Sequence, residues 1–65
     1  MPVIFFYGPD LEKEKKEELI NSFTKQASEI TGIEEKHFLV FLRSTTPEDV
    51  GIGGELLEDY LNRED

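Results

Sequence analysis

The side chains able to do chemistry in this sequence are few. There is no cysteine and a single histidine, His37, so a disulfide and a structural metal centre of cysteine and histidine ligands are essentially excluded. His37 stands just before an apolar run and reads as a surface or capping residue. Arg43 and Arg63 are the only guanidinium groups, the side chains best suited to a bidentate grip on a carboxylate. Arg43 can serve that purpose or close a strand end against a surface acid, and both readings stay open. Lys13, Lys15 and Lys16 read as solvated helix charges, and Glu34, Glu35 and Asp49 as solvated turns. Tyr7 has a hydroxyl to offer an enolate, though packing in a core or interface is its plainer use. Gly51-Ile52-Gly53-Gly54 lacks the Gly-Lys-Ser/Thr ending of a phosphate loop and is followed by Glu55. It reads instead as a hairpin that supports subunit contact. Pro2, taken alone, is a strand-opening proline with no amide to give a ladder.

The elements that must position these groups are legible from the apolar pattern. Pro2 to Tyr7 is an uncharged β-branched and aromatic run, suited to a strand buried on both faces. Gly8-Pro9 ends it, and Asp10 stands where a helix N-cap would be. From Leu11 to about Thr31, Leu19, Phe23, Ala27 and Ile30 recur at spacings of three and four with Ile20 beside them, an amphipathic helix. Glu12 and Lys16 are spaced for a weak surface pair, and Gly32 can close the helix in the left-handed conformation. Phe38 to Arg43 reads as a second strand. The helix-containing connection makes the two strands parallel, with a right-handed crossover. Alternation puts Arg43 on the face that carries Leu39 and Phe41, about 13 Å along the strand from position 39. Glu55 to Leu61 fits a short strand or a helical turn. The fold expected is α+β: one β-α-β unit with two parallel strands and a C-terminal Gly-rich hairpin, residues 1–65 forming one domain.

Size sets a further condition. A core this small rarely supplies more than about 3–5 kcal/mol, and with disulfide and metal excluded the remaining staple is subunit association. One helix covers only one face of a sheet. Five phenylalanines and two tyrosines are a heavy load for what is left, so a second copy is expected on the other face. Acidic residues outnumber basic ones by 15 to 7, for a net charge of −8. That argues against a nucleic-acid partner and against adsorption to an anionic membrane. No apolar run reaches the roughly 18 residues of a membrane span, and a cytoplasmic location is expected.

Met1-Pro2 at the head of a strand, a lone β-α-β unit, and Val50-Gly51-Ile52-Gly53-Gly54-Glu55-Leu56 near the end occur together in this short chain. So does Lys16-Glu17-Glu18-Leu19-Ile20. The combination resembles the 4-oxalocrotonate tautomerase family, over nearly the whole chain from Pro2 to about Leu57. The resemblance implies that Met1 is removed and that the Pro2 amine is the catalytic base and acid. It would move a proton in a small unsaturated 2-oxo acid, interconverting enol and ketone without a cofactor. The base must be neutral near pH 7. An α-amino group titrates around pH 7.7–8.0, and the apolar run after Pro2 disfavours its charged form. The resemblance further implies a homo-oligomer, a hexamer built as a trimer of dimers, with sites near subunit boundaries.

The same resemblance marks where this chain departs from the family. The family's substrate-binding arginines fall at Leu11 and Leu39, and its aromatic residue before the Gly-rich segment falls at Val50. Leu11, Leu39 and Val50 are thus expected to line the substrate site, with Arg43 holding the acid group from another position. Two other outcomes are compatible with these changes: a non-catalytic oligomer of the same fold, or a proline-based hydratase or dehalogenase.

Overall fold

The computed structural model describes residues 1–63. Strand β1 (Val3–Gly8) leads through Pro9–Glu12 into helix α1 (Lys13–Thr31). A 3-10 turn (Glu35–His37) precedes strand β2 (Leu39–Ser44), and a second (Pro47–Asp49) precedes a hairpin of β3 (Gly51–Ile52) and β4 (Glu55–Leu56). Helix α2 (Leu57–Arg63) follows directly. β1 and β2 are parallel, in the register Val3↔Leu39, Phe5↔Phe41 and Tyr7↔Arg43. The ladder runs one bond past each end: the Leu39 amide donates to the Pro2 carbonyl (3.1 Å) and the Thr45 amide to that of Gly8 (2.8 Å). The expected β-α-β unit and C-terminal hairpin are both present, and Glu55–Leu61 is a short strand followed by a helix.

Local chemistry sets the boundaries. Helix α1 begins at Lys13, not Leu11, and its cap residue is Glu12, which makes no side-chain capping bond. The expectation of an Asp10 cap fails because that carboxylate is engaged elsewhere. It accepts from the Ser44 hydroxyl (3.2 Å) and lies 3.9 Å from the Lys16 ammonium. Lys16 therefore faces Asp10 and not Glu12. At the other end Gly32 takes φ 78° and donates to the Ser28 carbonyl at 2.8 Å, the left-handed closure expected of it. The hairpin turns on Gly53 (φ 60°) and Gly54 (φ 90°). Two successive positive φ values are the mark of a type I′ turn, whose twist suits paired strands. The Leu57 amide reaches back to the Val50 carbonyl at 2.7 Å and anchors the base of the hairpin.

The sheet has one covered face and one open face. Ile4, Phe6, Val40 and Leu42 point toward α1 and are half-buried; Phe6 packs on Phe23 with ring centroids 5.6 Å apart. Val3, Phe5, Tyr7, Leu39 and Phe41 point the other way and are exposed, Phe5 by 55% and Tyr7 by 65%. Phe5 and Phe41 stack at 5.0 Å. A β1 buried on both faces is therefore not what this chain achieves alone, because it has no element to lay on the second face. Ile30, expected on the apolar stripe of α1, is likewise 81% exposed.

The dimensions point the same way. No described residue is fully buried, and the accessible surface is 5360 Å², against about 4,250 Å² for a folded monomer of this mass. The radius of gyration is 15.4 Å, where a compact chain of this length has about 11 Å. Among the described residues no helix is long and apolar enough to cross a membrane.

Candidate functional site

The two strands carry candidate chemistry at opposite ends. At the start of β1, Pro2 is half-buried and held by the bond from the Leu39 amide to its carbonyl, while Met1 before it is 85% exposed. Leu39 is beside this end, paired with Val3 on the open face. Apolar neighbours thus flank Pro2, and its ring nitrogen takes no part in the ladder.

At the far end, the last turns of β1 and β2 meet the start of α1 around a cavity of roughly 60 Å³. Phe6, Pro9, Leu11 and Leu42 give it apolar lining, and Lys16, Arg43 and Ser44 also border it. The pleat explains the placement. Arg43 follows the last inward residue, Leu42, where β2 runs out beside the β1–α1 connection. Arg43 forms no hydrogen bond or ion pair among the described residues. Arg63 is engaged: its guanidinium donates to both carboxylate oxygens of Glu55 (2.6 and 3.0 Å) and lies over the Tyr60 ring, 5.5 Å from its centroid. Of the two arginines, Arg43 is the one with its donors uncommitted among the described residues.

The site residues expected from sequence are therefore only partly brought together within one chain. Leu11 and Arg43 share the cavity at the strand ends. Val50 borders a separate groove with Gly8, Pro9, Thr45 and Leu57. Leu39 and Pro2 sit at the other end of the sheet, about 13 and about 16 Å from the Tyr7–Arg43 pair along the strands. Lys16 is exposed, as expected of a solvated charge, and also borders the cavity. Its spacing holds the signal: it precedes Leu19, Ile20 and Phe23 by three, four and seven positions, so it lies on the inward stripe of α1. His37 stays outside this geometry, its ring 3.9 Å from the Glu34 carboxylate. No cluster of three metal-ligating side chains occurs among the described residues.

Comparison with known proteins places this arrangement. The profile of the tautomerase family, described as tautomerase enzyme, matches residues 2–60. The solved structure of DmpI from Archaeoglobus fulgidus is 36% identical, with a TM-score of 0.77 over 89% of this chain and 100% of that one. A 4-oxalocrotonate tautomerase homologue is 28% identical, with a TM-score of 0.72 over 91% and 95%. DmpI from Helicobacter pylori, at 19% identity, shares the fold with a TM-score of 0.79 over 98% and 100%. No curated protein matches the chain. The β-α-β unit, the Gly-rich hairpin and a family match that starts at Pro2 agree with one another: the chain belongs to the tautomerase family.

Proposed function

We propose that this protein is a tautomerase acting on a small unsaturated 2-oxo acid, with the amine of Pro2 as base and acid once Met1 is removed. Family membership supports isomerase chemistry in general. The observation that carries the finer reading is Pro2 itself, where the family match begins. It is fixed at the head of β1 by the Leu39 bond. In ketonisation the prolyl nitrogen takes the proton of the 2-hydroxyl, and the C2–O bond becomes a carbonyl. The enol double-bond pair moves to C3, which collects the proton back from the prolinium. No external oxidant, metal or cofactor enters the balance.

Arg43 is the group assigned to the substrate carboxylate, with Leu11, Leu39 and Val50 giving the site apolar walls. Arg43 pairs with Tyr7, five residues from Pro2, so about 16 Å of strand separates the two in one chain, beyond the reach of a small acid. The working site therefore draws Pro2 and Arg43 from different copies in a homo-oligomer, a hexamer by family resemblance. The open sheet face and the excess of exposed surface support that assembly. A cytoplasmic setting completes the reading.

Leucine at positions 11 and 39 favours a second reading, a non-catalytic oligomer of the same fold. Two measurements separate them. Intact mass of protein from its native host should lack the initiator methionine, since an acylated proline nitrogen is an amide and cannot act as a base. Ketonisation of enolised phenylpyruvate should proceed and should fall at least about a hundredfold in Pro2→Ala, the lower range for loss of a positioned acid–base group. Retention of Met1, or a rate indifferent to Pro2→Ala, refutes the catalytic assignment.

A further inference from the structure

We infer that Tyr7 is a further catalytic residue, whose hydroxyl donates to the C2 oxygen of the substrate while Arg43 beside it holds the carboxylate; this rests on the tautomerase reading above and deepens it. Three rungs make up the open face of the sheet: Val3 with Leu39, Phe5 with Phe41, and Tyr7 with Arg43. The first two are wholly apolar, and Phe5 and Phe41 stack on each other. Every side-chain donor of this face is therefore gathered on the third rung, where the strands end at Gly8 and Ser44. Neighbouring strands lie about 4.8 Å apart, and alternation sends the side chains of paired residues out on the same side. Tyr7 is 65% exposed there, and Arg43 is exposed beside it.

Neither group is committed within the chain. Among the described residues the Tyr7 hydroxyl has no hydrogen-bond partner, and the Arg43 guanidinium has neither an ion pair nor a ring beneath it. The other tyrosine and arginine are engaged, Arg63 with both Glu55 oxygens and with the Tyr60 ring. The substrate proposed above carries its carboxylate and its C2 oxygen on adjacent carbons, so the donors that grip them must stand side by side. On this face the third rung alone supplies such a pair. One donor is charged and the other neutral, which suits a monoacid. Arg43 balances the carboxylate, and Tyr7 meets an oxygen that is neutral until reaction begins. As the prolyl nitrogen of a neighbouring copy removes the 2-hydroxyl proton, negative charge develops on that oxygen. A donor already standing beside it stabilises the transition state more than the ground state. Tyr7 keeps its own proton throughout; the transferred proton passes from the oxygen to proline and then to C3. A neighbour lying over Phe5 and Phe41 leaves this last rung at its rim, which is where another copy's Pro2 has to enter.

Steady-state kinetics on the assembled protein with enolised phenylpyruvate tests this. Tyr7→Phe keeps the ring and removes only the hydroxyl. Its kcat should fall about a hundredfold, the lower range for loss of one oxyanion donor, with KM raised no more than about fivefold. Sedimentation should give the wild-type mass. Dissociation would make the hydroxyl a subunit tie and overturn the inference, as would an unchanged kcat. Calorimetry on Pro2→Ala and Pro2→Ala/Tyr7→Phe separates a lost contact from a packing defect without turnover. Phenylpyruvate, which has the C2 oxygen, should bind about fivefold more weakly to the double variant, the ordinary worth of a neutral hydrogen bond. 3-Phenylpropionate, which lacks that oxygen, should bind the two proteins equally. Equal weakening of both acids, or of neither, refutes the contact. Turnover surviving in Pro2→Ala alone would instead refute the proline mechanism, while the comparison of the two acids would still decide the role of Tyr7.

Discussion

Replacing Phe5 with aspartate probes what covers the open face of the sheet. Phe5 is 55% exposed and stacks on Phe41 across the strands at 5.0 Å. A phenylalanine offers roughly 150–250 Å² for burial, so about 100 Å² of this side chain awaits a partner. At about 25 cal/mol per Å² that area is worth about 2–3 kcal/mol when covered. An aspartate forfeits this and adds a desolvation cost of several kcal/mol if its charge stays in the contact. In a two-fold interface the same patch serves on both subunits, so each change counts twice. A loss of at least about 5 kcal/mol per interface follows, or more than three powers of ten in Kd at about 1.4 kcal/mol per tenfold. Sedimentation velocity at micromolar chain concentration should show the wild type well above monomer mass and Phe5→Asp shifted to smaller species. No described residue is buried in the single chain. Dissociation should therefore carry loss of helix signal in far-UV circular dichroism, with a midpoint that depends on protein concentration. A Phe5→Asp assembly of unchanged mass and stability would refute the assignment of this face to subunit contact.

Four further outcomes follow from individual contacts. Arg43→Ala should raise KM by about tenfold or more in the ketonisation assay. Arg63→Ala should leave KM unchanged and cost at most about 1 kcal/mol in urea denaturation, because its pair with Glu55 is solvent-exposed. Gly8→Ala should destabilise by about 1–3 kcal/mol, since an added Cβ would stand 2.7 Å from the Phe6 ring, which is already packed on Phe23; a stability equal to wild type would mean that the ring moves freely. Gly32→Ala should cost about 1 kcal/mol, read from the denaturation midpoint at fixed chain concentration. Nothing lies within 4 Å of its Cβ, so the left-handed φ of 78° is the whole penalty.

The strands and the long helix were legible because each expresses one periodicity without interruption. Pro2–Tyr7 and Phe38–Arg43 are apolar runs of strand length, and Leu19, Phe23 and Ala27 keep helical spacing between them. Gly32 and the Gly53-Gly54 pair were legible for a different reason: only a residue without a Cβ adopts their φ values readily. The start of α1 was not. Asp10 has the right chemistry for a cap, and nothing local says that Ser44, 34 positions away, will take that carboxylate instead. Choices decided by a distant partner leave no local pattern to read.

The same reason separates the legible from the illegible in the candidate site. Pro2 could be singled out from sequence because the resemblance rests on its place in the chain and on the motifs that accompany it. The carboxylate-binding groups could not be placed with the same security. Leucine at 11 and 39 removes the expected donors, and replacements must come from wherever the fold happens to converge. Leu11 is separated in sequence from Arg43 by a whole helix and strand, yet both residues border one cavity because β2 ends beside the β1–α1 connection. That convergence is a property of the parallel register, in which Tyr7 faces Arg43 and Gly8 faces Ser44. The register also keeps Pro2 at the opposite end of the sheet. One pairing of two strands therefore sets Arg43 at the end of the sheet opposite Pro2, and a site that uses both residues has to draw them from different copies.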